Sequence, residues 1–262
     1  MTQPQIQRIV QPDDPLVQKI YDLFASQFGK EELDPIDVVR EELENTAKGE
    51  HEAPYIMLAT SVDGKVVNAL AGNYFRLSTP RVAGAAIGYA ATTPDLRLKG
   101  LGKAIVGEFL KQVDQYCSEE DRRLLATVLE AQTPSAENPN FYDSRPFWAR
   151  LGWKLSEGGI HCQPSMEFVK KTGLPKNEPI PLTFMVKPGE EQSQEKIYAP
   201  ALRDLVNVMF DNWYIPDRED FRSNKAYEVA CGHVAGVKWE LFNSLAVQPD
   251  GNVRLLPYEA KK

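Results

Sequence analysis

Two glycines stand between basic side chains, immediately before a long helical pattern. The stretch 97–102 ("RLKGLG") follows a run of small residues and opens the amphipathic segment "LGKAIVGEFLKQVDQYC". A helix N-terminus exposes backbone N–H groups that have no intrahelical acceptor, and it carries about half a positive charge. Glycine allows a ligand to approach the backbone closely, and Arg97, Lys99 and Lys103 add positive charge at the same point. The pattern predicts a phosphate or pyrophosphate site, and the alternative is that the glycines serve only the turn.

The spacing of this turn differs from two well-known phosphate-binding loops. It lacks the G-x-x-x-x-G-K-[ST] order of the Walker loop and the G-x-G-x-x-G order of dinucleotide-binding folds. The surrounding elements therefore decide its interpretation.

The composition describes an ordinary globular protein without features of a nucleic-acid or membrane protein. The 262 residues carry a formal net charge of −7, whereas a nucleic-acid binder is usually basic. No apolar run reaches the ~18 residues that span a membrane, and the first twenty residues do not match a signal peptide. Three cysteines form no disulfide framework, which is typical of a reducing compartment. We therefore expect a cytoplasmic protein.

Helical and strand patterns alternate over residues 15–188. Two amphipathic helices, "DDPLVQKIYDLFASQFG" and "DPIDVVREELENTAKG", precede two β-rich runs joined by Asp63-Gly64, a strong hairpin signal. After Pro188 the composition changes to a polar linker and mainly helical segments. We expect an α/β fold with one domain over 1–188 and a mainly helical C-terminal extension over 189–262, packed on the same domain.

The order of these segments resembles the GCN5-related N-acetyltransferase (GNAT) superfamily. A small-residue strand, the R-x-x-G-x-G turn, a long helix, a second strand and then "FWARLGW" follow one another as in that family. The stretch "IHCQPSMEFVKKTGLPKNEPIPLTFMVKP" is similar to a bacterial subset of it. The resemblance implies a mixed, largely antiparallel central sheet flanked by helices, splayed between strands 86–92 and 123–130.

The resemblance also implies that the protein binds acetyl-CoA as a co-substrate. The turn residues would hold its pyrophosphate, the end of the preceding strand would pair with its pantetheine arm, and the later motif would complete the site. These positions are Ala90, Ala91, Thr92, Thr93, Arg97, Leu98, Lys99, Gly100, Leu101, Gly102, Lys103, Asn140, Ser144, Phe147 and Trp148.

The sequence departs from the family at the residue that usually protonates the leaving thiolate. Trp148 occupies that tyrosine position, and an indole N–H donates a hydrogen bond without usefully releasing a proton. Tyr142 is the best remaining acid, with simple packing as its alternative. Glu130, at the end of the run "LLATVLE", is the best candidate for a general base, and a solvated strand-end carboxylate is its alternative.

A metal site is not expected. His161-Cys162 and Cys231-Gly-His233 supply soft ligands, but neither pair has the spacing of a structural zinc site. Adjacent residues on a strand also point to opposite faces.

The sequence thus favours an acyl-CoA-dependent N-acyltransferase that acetylates a primary amine by direct attack. A small-molecule amine is favoured over a protein as acceptor, because the C-terminal extension is large enough to cover the cleft. The main alternative is a catalytically degenerate module that binds acyl-CoA. A third possibility, an interaction domain that does not bind CoA, conflicts with the intact turn. The oligomeric state, including a homodimer, is left open.

Overall fold

A computed structural model of the protein describes residues 5–28, 33–49, 53–97, 99–132, 143–163, 180–214, 235, 238 and 241–258. The elements up to residue 122 are β1 (Gln5–Ile9), α1 (Pro15–Phe28), α2 (Ile36–Lys48), β2 (Tyr55–Val62), β3 (Lys65–Arg76), β4 (Val82–Thr92), the short 3-10 helix Pro94–Leu96 and α3 (Leu101–Glu119). The later elements are β5 (Arg123–Gln132), α4 (Arg145–Arg150), β6 (Lys154–Gln163), β7 (Ile180–Pro188), β8 (Lys196–Tyr198), α5 (Ala199–Tyr214) and β9 (Asn252–Leu256).

The chain divides into two compact units. The first contains Met1–Arg76 and Ala85–Arg122, and the second contains Leu77–Gly84 and Arg123–Lys262. The second unit therefore includes residues from both sides of the domain boundary that we predicted at residue 188. The predicted fold class is confirmed: the chain is mixed α/β, and β1–β2, β2–β3, β5–β7, β6–β7, β6–β9 and β8–β9 all pair antiparallel.

In the first unit the strands follow the order β1-β2-β3-β4. The predicted hairpin joins β2 to β3, and both residues of its turn, Asp63 and Gly64, have positive φ values of 50° and 75°. This conformation is the reason that Asp-Gly is favoured in two-residue hairpins. The sequence did not predict β1, which pairs with β2 from Gln5↔Ser61 to Ile9↔Met57.

Alternate side chains along the strands of this unit point to opposite faces of its sheet. One face packs on α1 and α2, where Tyr55, Met57, Ala69 and Ala71 join the apolar residues of the helices in one core cluster. The helix α3 contacts β2 and β3, and its buried stripe is Ile105, Val106, Phe109, Val113 and Cys117. Because side chains alternate along a strand, neighbouring residues of β2, β3 and β4 serve opposite layers.

In the second unit the strand order is β5-β7-β6-β9-β8. Glu130 of β5 lies opposite Phe184 of β7, and Ser156 of β6 lies opposite Leu255 of β9. The C-terminal extension carries the predicted helix α5, whose Leu202, Leu205, Val206, Met209 and Phe210 are buried. It also contributes two strands, β8 and β9, that the sequence analysis did not predict. The stretch "SMEFVKK", which has the sequence character of a strand, lies outside the described residues.

At Gly72 the backbones of β3 and β4 leave no room for a side chain. A Cβ atom built on Gly72 would lie 2.1 Å from the carbonyl oxygen of Ala86, whereas one built on Gly107 of α3 would have nothing within 4 Å. The backbone of β4 must therefore shift to admit any side chain at residue 72.

We predict that Gly72→Ala lowers the free energy of unfolding by about 1–3 kcal/mol, the usual cost of overpacking a tight site. Gly107→Ala is the matched control and is expected to raise it by about 0.5–1 kcal/mol, because alanine is the better helix former. Urea unfolding followed by circular dichroism measures both. A Gly72→Ala variant as stable as the wild type would show that the strands separate at no cost.

Candidate functional site

The predicted turn lies between the end of β4 and the start of α3, within the first unit. Thr93 precedes the short 3-10 helix Pro94–Leu96, and α3 begins at Leu101. The described cations of the turn, Arg97, Lys99 and Lys103, are exposed. Leu98, which the sequence placed in the same site, lies outside the described residues.

Gly100 caps α3 in the left-handed conformation, with φ 83° and ψ −5°. A residue with a Cβ rarely adopts this φ, so the turn itself requires glycine here. A Cβ at this position would meet nothing within 4 Å, which leaves open space in front of the backbone. Gly102 differs: it is the second residue of α3 and is not among the described glycines with positive φ. The two glycines therefore have different roles, since only Gly100 is required by backbone conformation.

The first turn of α3 has backbone donors without a side-chain cap. Gly100 makes no side-chain capping bond, and the first helical hydrogen bond runs from the Ala104 N–H to the Gly100 carbonyl at 3.0 Å. The N–H groups of Leu101, Gly102 and Lys103 come before this bond in the helix. Together with the helix dipole, they form a concentration of positive partial charge that suits an anion.

Arg97 is held beside this turn by two neighbours. Its Nη2 donates to Oε1 of Gln27 at 2.6 Å, and its Nε donates to the Thr92 carbonyl at 3.4 Å. Gln27 belongs to α1, so the guanidinium connects that helix to the end of β4. Arg97 therefore adds a positioned charge rather than a loose one.

Asn68 is the residue of this site that sequence analysis missed. It lies on β3, is 1% exposed, donates from Nδ2 to the Leu101 carbonyl at 3.0 Å, and accepts from Oγ1 of Thr92 at 2.9 Å. One amide thus joins the end of β4 to the first residue of α3. The signal was present in "VVNALAG", where asparagine interrupts an apolar strand. A buried amide requires partners, and this one finds them at both ends of the turn.

The strand end Ala90–Thr93 is positioned by β3. The Thr93 N–H donates to the Val67 carbonyl at 2.9 Å, and Ala91 is buried in the α1–α2 core cluster. Oγ1 of Thr93 is buried and has no hydrogen-bond partner among the described residues. The predicted pairing of this strand end with pantetheine stays a prediction.

Glu130 lies on β5 of the second unit and is partly buried. The sequence pattern predicts Glu130 at the end of its strand, but β5 continues to Gln132. That placement was wrong by two residues, because Ala131 and Gln132 also pair with β7. Its role as a base stays a prediction.

The motif helix α4 forms an aromatic cluster in the second unit. Trp148 is 6% exposed and meets Phe147 and Trp153 edge to face, with ring centroids 4.9 Å and 5.3 Å apart. Nζ of Lys187 lies 5.3 Å from the Trp153 ring, and burial lowers the pKa of this lysine. The cluster gives Trp148 a packing role. Ser144 precedes the helix, whereas Asn140 and Tyr142 lie outside the described residues.

The start of α4 is held by Asp143. Its carboxylate accepts hydrogen bonds from Arg145 Nε at 2.8 Å and from the Tyr258 hydroxyl at 3.0 Å. Burial raises the pKa of Asp143, but the bonds from Arg145 and Tyr258 outweigh this effect and hold the pKa below its ordinary value. The C-terminal segment is thereby tied to the motif helix.

Two further findings concern metals and membranes. Among the described residues, no three His, Cys, Asp or Glu side chains gather where they could hold a metal ion. The side chains of His161, Cys162, Cys231 and His233 lie outside that set. None of the described helices combines the length and apolar character needed to cross a membrane.

Comparisons with known proteins found similarity to solved structures alone. No protein-family model and no curated protein matches the sequence. Similar solved structures include an aminoglycoside 6'-N-acetyltransferase complexed with coenzyme A (16% identity, TM-score 0.45, 70% of this chain and 96% of that chain). They also include the PaiA N-acetyltransferase of Thermoplasma acidophilum in complex with coenzyme A (11%, 0.43, 70% and 99%) and an IAA acetyltransferase from Bacillus cereus (11%, 0.42, 71% and 99%).

All three are acetyltransferases, and each covers about 70% of this chain. These TM-scores and identities are too low to establish shared chemistry.

We predict that Asn68→Ala lowers the free energy of unfolding by about 1–3 kcal/mol, because it removes the buried amide that donates to the Leu101 carbonyl and accepts from the Thr92 hydroxyl. Asn68→Asp keeps the size and an acceptor for Thr92 but loses the amide donor, so it should be destabilised as well. Urea unfolding measures the stability, and amide hydrogen exchange at Leu101–Lys103 measures the order of the turn. Unchanged exchange in both variants would contradict a positioning role.

Proposed function

We propose that this chain is an acyl-CoA-dependent N-acyltransferase of the GNAT type that transfers an acetyl group from acetyl-CoA to a primary amine. The observation that carries the proposal is the uncapped start of α3, opened by the left-handed Gly100 and flanked by three exposed cations. This arrangement suits a pyrophosphate, because backbone N–H groups and side-chain charge converge on one point. The turn lies between a small-residue strand and a long helix, which is the position that the resemblance to the GNAT superfamily implies.

Different residues around the turn would bind different parts of the co-substrate. The amides of residues 98–103 would hold the pyrophosphate, with Arg97, Lys99 and Lys103 as counter-charges. The strand end Ala90–Thr93 would receive the pantetheine arm. By resemblance, Asn140, Ser144, Phe147 and Trp148 would complete the site.

Acetyl transfer requires the amine to lose a proton, the thioester carbonyl to be polarised and the thiolate to leave. Backbone N–H groups near Ala90–Thr92 would polarise the carbonyl. Glu130 would accept the proton, directly or through a water molecule, and Tyr142 would be the acid. A thiolate departs without obligatory protonation, so only the base is essential.

A second candidate function is a module that binds acyl-CoA without turnover. The observation that favours it is the buried aromatic packing of Trp148 at the position where the family's acid is expected. A small-molecule amine remains the proposed acceptor of the enzyme, in the reducing compartment that the cysteine count favours.

The first test of the site is a pair of matched substitutions in α3. Gly102→Val adds a side chain to the first turn at a helical position, and Gly107→Val makes the same change in the same helix where a Cβ has nothing within 4 Å. We expect calorimetry to show CoA binding about tenfold to a hundredfold weaker in Gly102→Val, the worth of a charge-assisted hydrogen bond. Gly107→Val should bind within about threefold of the wild type on the same scale. Equal CoA affinity in all three proteins would refute the pyrophosphate assignment.

The second test separates the enzyme from the binding module. Wild type, Glu130→Gln and the exposed control Glu195→Gln are assayed for thiol release from acetyl-CoA with a panel of primary amines. The enzyme hypothesis predicts that Glu130→Gln loses rate by roughly 10²–10⁴ and still binds CoA, because a general base is worth that factor. Thiol release that is unaffected in Glu130→Gln would remove Glu130 as the base. Tight acetyl-CoA binding without turnover for any amine would favour the binding module.

A further inference from the structure

The last turn of α1 supplies a side chain to the candidate nucleotide site. Gln27 is the residue before Phe28, where α1 ends, and its Oε1 accepts a hydrogen bond from Nη2 of Arg97 at 2.6 Å. The two bonded residues are 70 positions apart in the sequence. The site residues predicted from the sequence begin at Ala90, so Gln27 is not among them.

Gln27 is itself oriented by its own helix. Its Nε2 donates to Oγ of Ser26 at 3.2 Å and to the Ser26 carbonyl at 3.4 Å, and Oγ of Ser26 donates to the Leu23 carbonyl at 2.7 Å. A guanidinium only donates hydrogen bonds, so the amide atom that faces Arg97 must be the oxygen. Ser26 binds the amide nitrogen and leaves the oxygen for Arg97. A series of hydrogen bonds thus runs from the backbone of α1 to the guanidinium.

A second contact holds Arg97 from the side of β4. Its Nε donates to the carbonyl of Thr92 at 3.4 Å, and the hydroxyl of the same Thr92 donates to Asn68. A guanidinium is planar, so contacts through two of its nitrogens restrict the orientation of the whole group. Ordering a flexible side chain during binding costs affinity. An arginine that is held before its ligand arrives avoids part of this cost.

The acceptor on Gln27 is a neutral amide oxygen. It orients the Arg97 guanidinium without adding a formal charge. A carboxylate at the same position would make a stronger, charge-assisted bond to Arg97. The same carboxylate would also place a negative charge beside a site for an anion and would repel it. Firm holding of Arg97 and tight binding of an anion therefore favour different residues at position 27.

We propose that Gln27 is a positioning residue of the co-substrate site, which directs the Arg97 guanidinium toward the pyrophosphate of acetyl-CoA. The inference rests on the proposed function, and it adds the last turn of α1 to the elements that build the site. Gln27 acts through Arg97, and Ser26 orients Gln27.

The test measures CoA binding by calorimetry in two variants of Gln27, at about 0.1 M salt. Gln27→Ala removes the acceptor, and we expect CoA to bind about two- to fivefold more weakly, the scale of one neutral hydrogen bond. Gln27→Glu keeps an acceptor but adds a charge, and we expect binding at least about tenfold weaker. The loss in Gln27→Glu should shrink at about 1 M salt, because salt screens the added charge.

Gln18 provides the matched control on the same helix. It is exposed, and its Nε2 donates to Oδ1 of Asp22 at 2.9 Å. Nine residues of α-helix separate it from Gln27, which is about 14 Å along the axis and more than the Debye length of about 10 Å at 0.1 M salt. Gln18→Ala and Gln18→Glu should therefore bind CoA within about twofold of the wild type.

Two further measurements separate positioning from a general effect on stability. In a double-mutant cycle, Gln27→Ala in the Arg97→Ala protein should change CoA affinity less than about 1.5-fold, because Gln27 acts through Arg97. In the ligand-free protein, NMR should show faster exchange of the Arg97 Nε–H with water in Gln27→Ala than in the wild type. Urea unfolding of the same variants records any change in stability.

Three results would overturn the proposal and leave the proposed function standing. They are CoA binding in Gln27→Glu that equals or exceeds that of the wild type, the same effect of Gln27→Ala with and without Arg97, and unchanged exchange of the Arg97 Nε–H in Gln27→Ala. Absence of CoA binding by the wild type would instead reject the proposed function, and the role of Gln27 with it.

Discussion

The amide of Asn68 holds together the two backbone segments from which the candidate nucleotide site is built. Nδ2 of Asn68 donates to the Leu101 carbonyl, and Oδ1 accepts from the Thr92 hydroxyl. The end of β4 and the start of α3 are therefore both bonded to one buried side chain of β3. Without that connection the turn would have to be ordered when an anion binds, which costs affinity. The left-handed Gly100 then completes a turn whose donors are already aligned. Preorganisation of this kind would favour anion binding by a surface loop.

The period-two alternation of β4 lets one strand serve two chemical environments. Tyr89 and Ala91 face the core of α1 and α2, whereas the Thr92 side chain turns to Asn68. A strand places successive side chains on opposite faces, so the core packed on α1 and α2 and the Gly100 turn can lie within a few residues of each other without sharing a face. The close approach of β3 to β4 at Gly72 maintains the arrangement, because a Cβ there would meet the Ala86 carbonyl.

Local features were predictable from the sequence, and features that depend on distant partners were not. The Asp63-Gly64 hairpin and the start of α3 at Gly100 follow from backbone preferences of a few adjacent residues. The role of Asn68 depends on Leu101, 33 residues away. The strands β1 and β9 are five residues each and acquire their identity only by pairing with β2 and β6.

The packing of Trp148 concerns one of the two proton transfers in acyl transfer, the protonation of the leaving thiolate, and not the deprotonation of the attacking amine. An indole enclosed by Phe147 and Trp153 supplies no proton, so the family's usual acid is missing at this position. A thiol has a pKa near 8.5, so a thiolate leaves far more readily than an amide nitrogen or an alkoxide. An alkylamine, with a pKa near that of lysine at about 10.4, is instead almost fully protonated at neutral pH and must be deprotonated before it attacks. The missing acid therefore costs the enzyme hypothesis little, and the decision rests on whether the chain provides a base for the amine.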